Sequence, residues 1–356
     1  MKWRIAALGL LLLLGTIAFA AAAPFTGSAN QIAPTSQATP ASGTNPDAAA
    51  GTPVGGDTAV ALAAGDVTSC SSKGSKATGE LITSRQGAVL ALGDLAYSSG
   101  TADQFKNCYD PVWGGFKDRT YPVPGNHEYM TAGAAGYYAY FGTVAGDPSK
   151  GYYSFDLGRW HIVALNSNCD AIGGCKAGSP QEQWLRADLA AHPAACTLAY
   201  MHFPLYSSGK HGDNPEVRPL WQALYDGGAE IVLAGHDHDY ERFAPQDANG
   251  NLDQSQGIRE FVVGTGGVGH YDFHEPVPNS EMRDNKTFGV LELILHSTGY
   301  EWTFLPAGDG TFTDSGSGTC HDANGPTAAG DQSTTAQFQP TGTIAVWRRE
   351  TIGEIR

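Results

Sequence analysis

Residues 179–202 read SPQEQWLRADLAAHPAACTLAYMH, and the class of the fold follows from them. Ser179 and Glu182 stand at capping-box spacing and Pro180 falls at the first helical position, so a helix begins here. Trp184, Leu185 and Leu189 recur along it, and Pro193 closes it. The chain then enters Thr197–Met201, an apolar run of strand length, and meets His202 at its end. Comparable runs lie at Ala59–Ala64, Ala88–Leu92, Ile162–Leu165, Glu230–Ala234, Phe261–Val263 and Gly289–Leu295. Short runs without polar alternation suit strands covered on both faces. Such strands alternating with helices predict an α/β sheet sandwich.

Outward from this core the composition changes. Lys2 and Arg4 precede an uncharged run, Ile5 to Ala23, that ends in small residues at A-x-A spacing, so residues 1–23 read as an export signal. The run is also long enough to span a bilayer if it stays uncleaved. Residues 24–57 are rich in Pro, Ala, Thr, Ser and Gly with one aromatic residue, Phe25, and are expected to form a disordered spacer, because they offer nothing to offset their ordering entropy. The folded unit is expected at residues 58–322, followed by a low-complexity tail, 323–356, with one apolar patch at Ile344–Trp347.

Acidic residues outnumber basic ones, 36 to 21, and the net charge of −15 excludes a basic nucleic-acid-binding protein. Six cysteines, an even number, suit an oxidising, extracytoplasmic compartment. Cys169 and Cys175 flank a Gly-containing loop that a disulfide could close. Cys70, Cys108, Cys196 and Cys320 pair only over longer ranges, and Cys196 also reads as a small core residue.

Several apolar runs end in a polar side chain: Asp66 follows Ala59–Gly65, Asp94 follows Ala88–Gly93, His202 follows Cys196–Met201, and His236 follows Ile231–Gly235. Carboxyl ends of strands border the ligand crevice of α/β sheets, so these ends are expected to converge. Asn126, His127 and Glu128 follow Tyr121–Pro124, Tyr97 lies three residues beyond Asp94, and His238 two beyond His236. Carboxylate, imidazole, amide and phenol without thiol suit zinc, manganese or iron. So many donors exceed one tetrahedral ion. They match two ions sharing a carboxylate, the arrangement that clamps attacking and leaving oxygens in phosphoryl displacement. Singly, a Gly-Asp after a strand is commonly a turn and a strand-end His commonly a structural hydrogen-bonder; the ordered set carries the reading.

The blocks AAGD (to Asp66), LGDLAY (Asp94 to Tyr97), PGNHE (Asn126 to Glu128), MHFPLY (from His202) and AGHDHDYER (His236 to Arg242) resemble, in order and spacing, the calcineurin-like metallophosphoesterases, and among them the purple acid phosphatases. The resemblance spans about Thr58 to Asp322 and implies a four-layer α-β-β-α sandwich. The broad family often has a His two residues after its first Asp, where this chain has Thr68; the purple acid phosphatase branch has a Tyr three after its second Asp, which Tyr97 matches.

By position, the resemblance implies one metal site of Asp66, Asp94, Tyr97 and His238, and a second of bridging Asp94 with Asn126, His202 and His236. It implies Fe(III) beside Tyr97 and iron, zinc or manganese at the second site. Hydroxide formed from water between the ions would attack phosphorus in line, and His127 and His211 would bind phosphate oxygens, one of them protonating the departing alkoxide. His211 rests on its offset from His202, and an exposed loop His without a role is the competing reading. Glu128, Tyr240, Glu241 and Arg242 are expected to orient ligands or pack nearby. His161, His192, His270, His274, His296 and His321 fit no block and read as structural or surface residues, with a site role kept open for His270 and His274.

Other patterns fail on context. Gly264–Gly269 satisfies a dinucleotide fingerprint without a following helix start, and Asp247–Asn251 begins like a calcium loop but has Ile258 where a bidentate Glu belongs. No G-x-S-x-G elbow occurs, and His127-Glu128 lacks a second His at zinc-protease spacing. The expected protein is therefore an exported dinuclear-metal phosphohydrolase acting on phosphomonoesters, secreted or held in the cell envelope. A phosphodiesterase or nucleotidase with the same centre is the alternative, and a non-catalytic envelope binding protein a further one. Its partner is a phosphate ester, with no nucleic acid and no stable membrane insertion unless the signal is retained. Plant-type relatives carry an extra β-sandwich domain where this chain has its spacer, so a single-domain relative is expected.

Overall fold

The computed structural model describes residues 58–321; the expected signal, spacer and tail lie outside the described residues. The strands run, in chain order, β1 Ala59–Ala64, β2 Ala88–Ala91, β3 Thr120–Pro122, β4 Tyr153–Leu157, β5 Trp160–Ala164, β6 Cys196–Tyr200, β7 Ile231–Ala234, β8 Tyr240–Phe243, β9 Arg259–Val263, β10 Ser280–Asp284, β11 Gly289–His296, β12 Gly299–Pro306 and β13 Ser315–Thr319. They form two mixed sheets, one in the order β13-β12-β11-β1-β2-β3 and one in the order β10-β8-β9-β7-β6-β5-β4. β1, β2 and β3 are parallel, as are β5, β6, β7 and β9.

The layering follows from strand alternation. Ile162, Leu198, Ile231 and Phe261 point into one core shared with Leu62, Leu90 and Leu291 of the first sheet, so the two sheets face each other. The intervening Val163, Ala199, Val232 and Val262 pack in a second core with Leu185 of the helix Pro180–Ala191 and Leu220, Trp221 and Leu224 of the helix Arg218–Asp226. Ile82 of the helix Ser75–Thr83 and Trp113 pack against the first sheet. The result is the expected α-β-β-α sandwich. Among the described residues no helix is long and apolar enough to cross a membrane.

The helix that opened the sequence argument spans Pro180–Ala191, and Ser179 Oγ accepts from Glu182 N. Half of the capping box forms: the Glu182 carboxylate accepts from Gly178 N at 2.9 Å and from Arg186 instead of closing on Ser179. All six cysteines pair, as Cys70–Cys108, Cys169–Cys175 and Cys196–Cys320. Cys196 is thus a bridge and not a lone core thiol. Its partner is 124 residues away, a closure that stabilises by about 5 kcal/mol in the chain-entropy account.

Candidate metal centre

The parallel strands end at the crevice in turns too tight for ordinary backbone. Asp66, Asp94 and His236 have φ of 58°, 52° and 72°, the left-handed region that costs a non-glycine residue on the order of 1–3 kcal/mol. Each turn aims its side chain across the strand ends. The preceding glycines make the approach possible: a Cβ on Gly93 would sit 2.6 Å from His202 Nδ1, and one on Gly235 2.7 Å from Asp66 Oδ2. Glu128, wholly buried, accepts from the backbone N–H groups of Asp94, Leu95, Ala96 and Gly125 at 2.8–3.2 Å and so holds the turn that presents Asp94.

The seven expected ligands are brought together in two overlapping groups. In the first, Tyr97 Oη lies 2.7 Å from Asp66 Oδ1, 3.0 Å from Asp94 Oδ2 and 3.1 Å from His238 Nε2. In the second, His202 Nε2 lies 3.1 Å from Asn126 Oδ1 and 3.4 Å from Asp94 Oδ2, and the donor atoms of Asp94, His202 and His236 fall within 4.8 Å of one another. Asp94 belongs to both. His202 Nδ1 faces Leu92 O at 2.9 Å and His238 Nδ1 faces Gly269 O at 2.6 Å, so each donates there and turns the Nε2 lone pair inward. Thr68, where the broad family often has His, pairs across to Tyr97, whose N–H donates to Thr68 O at 2.8 Å.

This donor set fits cations. A phenol has one proton, yet Tyr97 faces two carboxylate oxygens and a ring nitrogen, leaving lone pairs gathered with no proton between them. Burial, then Asp66 and Asp94, push the Tyr97 phenol well above its ordinary range, so a phenolate here requires a strongly charged cation. Burial lowers His202, but the Asp94 carboxylate outweighs it and raises the imidazole to about 9. A cation must displace that proton, which makes occupancy weaken in acid. His236 is driven down to about 2 by burial and by the neighbouring His202 and His211, and stands as a neutral donor.

The rim carries the two other expected residues. His127 Nδ1 lies 2.6 Å from Ser98 O, and its Nε2 lies 3.6 Å from Asp94 Oδ2. His211 is exposed, with its ring 4.3 Å from that of His236. Two residues escaped the sequence reading. Asp237 accepts from Ser207 Oγ at 2.5 Å and from His211 N at 2.8 Å, fixing the loop that bears His211. Tyr271 stacks on His238 at 4.0 Å, and Lys210 Nζ lies 4.2 Å from the centre of the Tyr271 ring. The neighbours kept open do less: His270 stacks on Phe288, and His274 hydrogen-bonds the loop carbonyl of Lys210. Glu241 accepts from Ser208 N and Oγ, while Tyr240 and Arg242 bind Asp314, so these hold the surrounding scaffold. Gly264–Gly269 is a turn against β1, with Gly266 N donating to Gly65 O, and the Asp247 carboxylate is taken by Asn249 and Asn251 N–H groups.

Two mixed sheets with oxygen and nitrogen donors gathered at their parallel strand ends define the class, an α/β sandwich protein with a buried cluster of candidate metal ligands. The calcineurin-like phosphoesterase family matches residues 62–240, half of the chain, and the chain belongs to that family. Within it, purple acid phosphatase 21 of Arabidopsis thaliana is 37% identical over 164 residues, 43% of this chain and 36% of that protein. Probable purple acid phosphatase 20 of the same plant is 30% identical over 267 residues, 65% of this chain and 58% of that protein. The chain therefore spans between about a third and three fifths of the length of these curated relatives. The fold is also that of purple acid phosphatase PPD1 from yellow lupin (Lupinus luteus) seeds, with a TM-score of 0.64, 20% identity and coverage of 73% of this chain and 53% of that one.

Proposed function

We propose that the chain is an exported, metal-dependent phosphohydrolase of purple acid phosphatase type that hydrolyses phosphomonoesters. The observation that carries this reading is the shared oxygen: Asp94 Oδ2 faces Tyr97 Oη at 3.0 Å on one side and His202 Nε2 at 3.4 Å on the other. One cation would be held by Asp66, Asp94, Tyr97 and His238, and the other by Asp94, Asn126, His202 and His236. Iron(III) is proposed beside Tyr97, because the raised phenol favours only a highly charged partner, with iron, zinc or manganese at the second position. Such a pair supplies Lewis acidity toward a phosphoryl oxygen and acidifies water. Three disulfides support an extracytoplasmic location.

The protein's own groups orient the ester and manage its protons. His127, anchored through Nδ1 on Ser98 O, offers Nε2 beside Asp94 to a phosphoryl oxygen. His211 stands at the exposed rim, where the alcohol leaves; burial lowers its affinity for a proton, so it would act in its imidazolium form in acid, giving that proton to the departing alkoxide as the P–O bond breaks. Asp237 keeps that ring in place through the loop backbone.

The test is elemental analysis of exported protein combined with hydrolysis of a chromogenic phosphomonoester and its diester counterpart. Two metals per chain, visible absorption from an iron-bound phenolate and faster monoester turnover are expected. Diester preference would reassign the substrate class. Folded protein with neither metal nor turnover on either ester would overturn the reading.

A further inference from the structure

A second group of donors sits at the opposite end of the seven-stranded sheet. His161 pairs with Thr197 near the start of β6, whereas His202 lies beyond the end of that strand. Five residues of strand separate the two levels by about 17 Å. His161 is 1% exposed, and its Nε2 lies 2.9 Å from Asp188 Oδ2 in the last turn of the helix Pro180–Ala191. His192, just past the helix end, donates from Nδ1 to the Asp188 main-chain carbonyl at 2.9 Å, with the same atom 3.3 Å from Asp188 Oδ1, and keeps its lone pair on Nε2. One donor atom from each of the three lies within 4.8 Å of the others.

We propose that His161, Asp188 and His192 form a structural binding site for a zinc-type divalent cation, separate from the strand-end centre. Two imidazoles and a carboxylate are zinc's usual nitrogen and oxygen donors. The supports a metal ligand needs are present. Asp156 Oδ1 lies 3.1 Å from His161 Nδ1, accepts its proton and leaves Nε2 as the lone-pair face. Ser154 Oγ donates to Asp188 Oδ1 at 2.8 Å and fixes the carboxylate.

Charge points the same way. The His161 and His192 rings lie nearly parallel, with centroids 4.9 Å apart and an angle of 14° between their planes. The cluster sets the two carboxylates Asp156 and Asp188 against two imidazoles, a set whose negative charge a divalent cation balances. The ion would tie β5 to the helix end, with β4 joined to them through the Asp156 and Ser154 hydrogen bonds. The competing account is a proton alone, with His161 an imidazolium between Asp156 and Asp188.

The experiment uses full-length protein and its His192→Ala variant, each equilibrated with excess zinc chloride and desalted. Zinc per chain, unfolding temperature with and without zinc, and phosphomonoester turnover are then measured. His192 is half exposed, so its truncation leaves the buried His161–Asp188 contact in place. The wild type is expected to hold one zinc per chain more than the variant and to gain more in unfolding temperature, with turnover changed by less than about twofold because the two sites share no residue. Equal zinc content and equal thermal response in the two proteins would overturn the site. Asp94→Asn keeps the two proposals apart, since the zinc lost through His192→Ala must still be present in it.

Discussion

The two ends of the seven-stranded sheet carry similar side chains on different backbones. At the carboxyl end, Asp66, Asp94 and His236 stand on left-handed turns next to glycines, where only a surrounding scaffold such as the Glu128 carboxylate keeps them in place. At the amino end, His161 lies within regular β5 and Asp188 within a regular helix, with His192 capping it. The strained end gathers many donors around one shared oxygen; the relaxed end gathers two imidazoles around one carboxylate. Strain is tolerated where a group must be aimed at a reacting ligand, and regular structure suffices where an ion or proton merely joins two elements.

That contrast breaks most readily at Asp94. Replacing Asp94 by Asn removes the shared negative charge while preserving its size, and kcat should fall by about a thousandfold, the scale of losing a central electrostatic contact. Elemental analysis should find the strand-end metals depleted and the amino-end zinc retained. Full activity in this variant would end the two-metal reading. His127→Ala comes next, with an expected loss of about a hundredfold in kcat, since a positioned acid–base or oxyanion-binding group is removed. Its metal content should not change, because His127 donates Nδ1 to Ser98 and contributes no ligand in this assignment.

How much of this was legible in the sequence follows from the same contrast. β1 and β7, reading AVALAA and IVLA, were visible as uninterrupted apolar runs because both of their faces are covered. β10 and β13, the outer strands of their sheets, read SEMRD and SGSGT and carry no apolar signal, because an edge strand is held by backbone pairing on one side only. The strand-end donors were legible because each closes an apolar run. Asp237 was missed although a carboxylate between His236 and His238 was itself a signal, and Tyr271 was hidden beside the more conspicuous His270. Asp188 and His192 are one helical turn apart, a readable pair, but nothing in the spacing says that His161, far upstream, folds against them.

Glu128 tests whether the strained end depends on its scaffold. Glu128→Gln keeps the shape but turns an amide N–H₂ toward backbone donors now served by carboxylate oxygens, so a loss of about 2 kcal/mol in stability is expected from chemical unfolding. Turnover should fall by about tenfold, as for other residues that orient metal ligands. Unchanged stability and turnover would mean the turn holds itself.

Ser154 makes the corresponding test at the relaxed end, with the smallest effect. Ser154→Ala removes the hydroxyl that donates to Asp188 Oδ1, a net loss of about 1 kcal/mol measured by denaturant unfolding. Zinc affinity at the amino end should weaken, because the carboxylate loses its orienting donor, while phosphomonoester turnover stays at the wild-type level. If turnover falls in step with stability, the two ends are coupled through β5 and β6, and the separation between an aimed, strained centre and a relaxed structural one is lost.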